Sequence, residues 1–221
     1  MFSMSQRTTQ PSHDLLARLV PGRIHVLVGG PGTGKTALCL RFLTAGLAAG
    51  EHAAMLVMAR VADIKAHAQR VGFELDDALR FERLMLLRYR PDFGERRARA
   101  ASPIQAIEEL ERLLSSVQPS RIVIDSFAPL LGDEPGSGHA IAALAAYLER
   151  SGATSLLTYP EDVSDGYDRR LEPVMQSAAA ILRLERRTHD DTIQLHALNT
   201  RAESRAVVGR DADHTFITLT S

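Results

Sequence analysis

Short apolar runs alternate with longer segments whose apolar residues recur every three or four positions, and the two patterns trade places along most of the chain. Ile24 to Val28 reads as a strand, set off by the Pro21-Gly22 break from a short helical turn in "HDLLARLV". Glycines occupy much of the stretch from Gly29 to Gly34, and "KTALCLRFLTAGLAAG" follows as a helix that stops at Gly50. "HAAMLVMA" is a second apolar run and "VADIKAHAQRVGFEL" a second helix, with Gly72 placed as a C-terminal cap. "LMLLRY" is a third strand. Arg90 to Ser102 carries Pro, Gly and clustered arginines without an apolar face, which predicts an exposed loop.

Ser102 and Pro103 then suit the N-cap and first position of an amphipathic helix in "SPIQAIEELERLLSSVQP". "SRIVIDSFAPLL" supplies a buried strand ending at Asp125, "GDEPGSG" a connection, "HAIAALAAYLERSG" a helix and "ATSLLTYPE" a further strand. "DVSDGYDRRLEP" reads as a second loop, and the tail as a hairpin joined at Thr188 to Asp191, with a last strand near "TFITLTS". Alternating strands and helices followed by consecutive strands predict an α/β fold. Its sheet is mostly parallel, with helices on both faces and an antiparallel hairpin extending one edge.

The 221 residues fit one domain, expected over residues 13–221 after a flexible arm at 1–12, and 45% hydrophobic residues suffice for a sizeable core. A formal net charge of -1 gives no long-range field for nucleic acid or an anionic membrane. Cys39 is the single cysteine, which excludes an intrachain disulfide and suits a reducing compartment; its place on the apolar side of a helix predicts packing. The N-terminal stretch has no apolar secretory region, and no segment approaches the roughly 18 to 20 unbroken apolar residues of a membrane span. The expectation is a cytoplasmic protein.

Gly29, Gly34, Lys35 and Thr36 satisfy G-x-x-x-x-G-K-[ST] between a strand and a helix, the context that motif requires. Glycines let backbone N–H groups turn in on an anion, and the following helix adds the positive end of its dipole. The candidate nucleotide-binding residues are Gly29, Gly30, Pro31, Gly32, Thr33, Gly34, Lys35, Thr36 and Ala37. Lys35 would reach the β- and γ-phosphates, and Thr36 would ligate Mg²⁺. Asp125, at the end of "RIVID", is the carboxylate expected to position the metal and its water. Thr158, which follows "SLL" on the next strand, is a candidate hydrogen-bonding partner for a phosphate or water.

"GGPGTGKTALCLRFLTAGLAAGE", with "RIVIDS", "SGATSLLTYPE", "AAAILRLE" and "IQLHALNTRAES", resembles RecA-superfamily ATPases of the KaiC-like branch over roughly Leu16 to Leu219. The resemblance implies ATP as ligand, a RecA-like core, subunit rings with nucleotide between neighbours, and a role in signalling more often than in recombination. It also marks two departures. Family members usually end the strand after the phosphate-loop helix with one or two glutamates that orient or deprotonate the attacking water. Ala59 and Arg60 stand there in this chain, and the nearest acid is Asp63. Arg60 is either a phosphate donor or a solvated strand-end residue.

Losing a positioned base costs on the order of 10² to 10⁴ in rate, so binding survives the change better than turnover. The family also carries Lys-x-Arg on a late strand that reaches a neighbouring subunit. Asn199 and Arg201 occupy those positions, leaving Arg201 as a candidate trans finger for catalysis beside Lys35 and Asp125.

The scattered histidines make no metal-binding spacing, and "ERRARA" lacks the interleaved aromatics of a nucleic-acid surface. The sequence therefore predicts an ATP·Mg²⁺-binding regulatory module with slow or absent hydrolysis, a protein partner, and a homo-oligomeric state of hexamer or dimer. The alternatives are a competent ATPase using Asp63 or Glu161 as substitute base, a non-enzymatic adaptor, and, least favoured, a DNA-dependent motor.

Overall fold

The computed structural model describes residues 19–89, 103–128, 137–160, 172–186, 193–200 and 217–219. The arm at 1–12, the loop at 90–102, residues 132–136 of the connection "GDEPGSG", residues 162–171 of the loop "DVSDGYDRRLEP", the hairpin joint at 188–191, and Glu161 and Arg201 all lie outside the described residues. Among the described residues eight strands form one sheet: β1 (Ile24–Gly29), β2 (Ala53–Val57), β3 (Leu84–Arg88), β4 (Arg121–Asp125), β5 (Thr154–Pro160), β6 (Ala178–Arg186), β7 (Ile193–Thr200) and β8 (Ile217–Leu219), in the order β3-β2-β4-β5-β1-β6-β7-β8. Strands β3 to β6 in that order pair in parallel, and β7 and β8 extend the β6 edge antiparallel. This is the expected α/β architecture, hairpin included. The helices among the described residues are α1 (Lys35–Ala48), α2 (Val61–Arg70), α3 (Asp76–Arg80), α4 (Pro103–Val117), α5 (Ser137–Ser151) and α6 (Glu172–Ser177).

The central strands are apolar without alternation because helices cover both faces. Ile24, Val26, Val28, Ile122 and Ile124 pack toward α4, α5 and α6. Leu27, Met55, Val57, Val123 and Leu156 pack toward α1, α2 and α3. Side chains two apart on a strand share a face, so Asp125 follows Val123, and Thr158 follows Leu156, onto the α1 side. The carboxylate expected from sequence thus comes to lie on the face that carries the glycine loop.

Helix ends explain the breaks in the pattern. After α1, Gly50 at φ 82° lets its own N–H bond Leu47 O at 3.1 Å and the Glu51 N–H bond Gly46 O at 2.9 Å. This pair is the Schellman arrangement, which needs a left-handed residue at that point. Gly72, at φ 84°, closes α2 with the same pair, Gly72 N–H to Gln69 O at 3.0 Å and Phe73 N–H to Ala68 O at 2.9 Å. The second helix therefore stops short of "FEL", and α3 begins separately at Asp76. Helix α6 is a further difference, since Glu172 and Pro173 were expected in a loop. Pro is tolerated in a first helical turn, where its missing N–H would have had no intrahelical acceptor.

At the far end of α1 from the glycine loop, Arg121 joins the first residue of β4 to the helix. Its Nε meets Glu51 Oε2 at 2.5 Å, its Nη1 donates to Phe42 O at 2.7 Å, and its guanidinium lies 4.8 Å from the Phe42 ring centroid. Gly46 makes room for it, because a Cβ there would collide with the Arg121 side chain and with Glu51 Oε2.

His25 is fully buried in β1, and its Nε2 accepts the Val20 N–H at 3.1 Å. Desolvation pulls its pKa from 6.5 down to about 4, with backbone groups of Ser155 and Arg23 opposing and the Arg23 charge assisting. The folded state therefore takes up this proton later than the unfolded chain does. Above the unfolded value of 6.5 the contribution is complete, and it is lost as pH falls from there to about 4. A displacement of that size corresponds to about 3 kcal/mol. Chemical denaturation of wild type and His25→Gln across this window should show the difference between them changing by about that amount; parallel pH profiles would reject the assignment.

Candidate functional site

The loop from Gly29 to Gly34 leaves the C-terminal end of β1 and runs into α1. Gly32 and Gly34 hold φ values of 73° and 84°, a region costly for residues with a Cβ. Gly34 is the N-cap of α1 and supplies no side-chain cap, and the first turn contains no acid. The N–H groups of Lys35, Thr36 and Ala37 thus have no intrahelical acceptor and face the loop with the helix dipole behind them. Such an arrangement receives an anion such as phosphate.

The loop is braced internally and from behind. Lys35 Nζ donates to Gly29 O at 2.6 Å and Gly30 O at 2.8 Å, and the Thr33 hydroxyl donates to Gly30 O at 2.9 Å. Partial burial lowers the Lys35 pKa below its usual value, while the nearby Asp125 charge acts in the opposite sense. From β6, Arg186 Nη2 donates to Gly32 O at 2.7 Å. Nothing in the sequence signals that contact, which joins residues 154 positions apart.

Asp125 Oδ2 accepts the Thr36 hydroxyl at 2.7 Å, and Oδ1 accepts the Thr158 hydroxyl at 2.6 Å. The structure thus brings Thr36, Asp125 and Thr158 into one cluster beside Lys35. A hydroxyl and a carboxylate are hard oxygen donors of the kind Mg²⁺ takes, and the glycine cradle beside them suits the phosphates that accompany it. The single Thr158 proton goes to Asp125 rather than outward, a pairing that neither strand pattern reveals alone. Next to the cluster, Tyr89 is buried and donates its hydroxyl to Ser126 O. Its pKa is pushed up, first by burial and then by the Asp125 charge. Cys39 is buried in the α1-side core, where desolvation raises its pKa well above the usual thiol value.

Val57 of β2 is in register with Asp125, so Ala59 lies two residues past that level. It is exposed. Arg60 is exposed, precedes α2 in an extended conformation, and accepts the Asp63 and Ile64 N–H groups on its carbonyl. Asp63 is exposed in the first turn of α2. Among the described residues no side-chain hydrogen bond or ion pair joins it to Lys35, Thr36 or Asp125. Asn199 is on β7, in register with Ile181 of β6.

A separate groove of about 1050 Å³ lies at the other end of α1, lined by residues including Thr44, Ala48, Phe73, Asp77 and Arg83. It shares no residue with the loop.

A family model described as "ATPase: KaiC" matches residues 13–201. The chain belongs to the KaiC ATPase family. No individual curated protein matches it at a significant level. Membership makes nucleotide the expected ligand of this fold. No helix among the described residues is long and apolar enough to cross a membrane.

In this KaiC-family chain two adjacent glycines of the loop have opposite tolerances. A Cβ at Gly29 would come within 2.7 Å of Leu184 O and 2.9 Å of Thr33 Oγ1, whereas one at Gly30 meets nothing within 4 Å. Gly29→Ala should lower the unfolding free energy by about 1 to 3 kcal/mol, because a β6 carbonyl cannot give way cheaply. Gly30→Ala should stay within about 0.5 kcal/mol of wild type. Equal denaturation midpoints for the two variants would contradict this account of the loop's backing.

Proposed function

We propose that this KaiC-family protein binds ATP with Mg²⁺ at the glycine loop and serves as a regulatory module whose hydrolysis is slow or absent. The observation that carries the reading is the exposed Ala59-Arg60 pair at the end of β2, beside an otherwise complete cradle. Residues 29–37, apart from Pro31, would surround the phosphates with N–H groups. Lys35 would exchange one or both of its loop carbonyls for β- and γ-phosphate oxygens. Thr36 and Asp125 would hold the metal, Thr36 by its hydroxyl and Asp125 through a metal-bound water. Bound Mg²⁺ supplies charge neutralisation and polarisation of the phosphoryl oxygens.

No carboxylate at the end of β2 is then available to orient or deprotonate a water, and Asp63 is in the first turn of an exposed helix instead. A site that keeps binding while losing the base has its energy in the bound state, which suits a component that signals by holding nucleotide. On this reading the protein is cytoplasmic, engages a protein partner, and assembles as a hexamer or dimer in which Arg201 reaches a neighbouring subunit.

Nucleotide occupancy and phosphate release measured on one sample test the proposal. Wild type should bind ATP in a Mg²⁺-dependent manner, and Lys35→Ala should abolish binding. Phosphate release should remain close to that of Asp125→Ala; a rate far above it sinks the slow-turnover reading, and intact binding by Lys35→Ala sinks the site.

Restoring a carboxylate makes a separate test. Ala59→Glu should raise phosphate release by about 10²-fold while leaving ATP affinity within a few-fold of wild type. An unchanged rate in a protein that still binds ATP would show that the missing glutamate is not what limits turnover.

A further inference from the structure

Asp125 is held by two neutral donors. Thr36 belongs to the loop helix and Thr158 to the neighbouring strand, and each hydroxyl takes one carboxylate oxygen. Among the described residues no ion pair to Asp125 is formed, and the nearby Lys35 ammonium acts on its charge without a direct contact, so the direction of the carboxylate is set by the two hydroxyls. A cationic partner would also orient the group, but it would compete with a metal for the same charge.

Thr158 is suited to this task by its place in the fold. It is fully buried, and it stands one residue beyond the pairing of Ile124 with Leu157, on the same face as Asp125. Its β-branched side chain has few accessible rotamers, so the hydroxyl is committed before any ligand arrives. Its carbonyl accepts the Phe127 N–H at 3.1 Å, which ties the turn after Asp125 to the same residue. Both the carboxylate and the backbone that follows it are therefore set by Thr158.

We infer that Thr158 is a positioning residue that fixes the Asp125 carboxylate for Mg²⁺ and so supports the metal-linked part of nucleotide binding rather than contact with the phosphates themselves. This rests on the reading of the glycine loop and Asp125 as an ATP·Mg²⁺ site. Thr158→Val keeps the shape and removes the donor; Thr158→Ser keeps the donor. Hydrogen bonds to charged groups are strong enough that losing this one should cost roughly tenfold or more in the process it supports.

The experiment is calorimetric titration of the full chain with ATP, in Mg²⁺ and in EDTA, for wild type and both variants, with thermal unfolding of each. The quantity read is the ratio of the two affinities. Thr158→Val should reduce the gain from Mg²⁺ by roughly tenfold, leave the affinity in EDTA within about twofold, and unfold cooperatively. Thr158→Ser should restore the gain. A Thr158→Val protein with the wild-type gain overturns the inference and leaves the ATP·Mg²⁺ site standing. Equal losses in Mg²⁺ and EDTA overturn it too, because they mark a general defect of the loop or fold. Wild type without any gain from Mg²⁺ overturns the inference together with the site reading beneath it.

Discussion

The Asp125 carboxylate joins the glycine loop and its helix to the C-terminal edge of the parallel sheet. Thr36 reaches it from α1 and Thr158 from β5. Asp125 is half-buried, and taking a carboxylate partly out of water is costly without donors; here each oxygen accepts a hydroxyl proton. The strand parity that puts Val123 and Leu156 in the α1-side core also puts these two polar residues at the rim of that core. Packing and chemistry are thus set by one alternation, and a slip of one residue in β4 or β5 would remove both.

Much of this was legible in the chain. The apolar runs marked the strands from Ile24 to Thr158, the interspersed helical periods required parallel crossovers, and the motif ending in Lys35-Thr36 located the cradle. Breaks in periodicity were legible where glycine supplied them, as at Gly50 and Gly72. They were not where Glu82 takes a left-handed φ of 56° to end α3, because a glutamate carries no such signal. Helix α6 was hidden for a related reason: six residues are too few to display a period, and Pro173 reads as a breaker until its place in the first turn is known.

The site divided along the same line. Contacts within the loop follow from the local motif, but the Thr158 proton on Asp125 and the Arg186 guanidinium on Gly32 O depend on strand neighbours distant in sequence. Thr158 was visible as a polar residue after an apolar run, and its direction was not. The absence of a carboxylate at Ala59 could be read directly, whereas the exposure of Asp63 became visible only when α2 was placed on the sheet.

The knot at the far end of α1 has a consequence for how this sequence can drift. Arg121 fills the space that a side chain at Gly46 would need, while Glu51 and the Phe42 carbonyl hold it there. Enlarging Gly46 requires Arg121 to leave, and removing Arg121 strands Glu51 beside a gap. Substitutions at Gly46, Glu51 and Arg121 are therefore coupled, and the effect of each depends on which of the others is already in place.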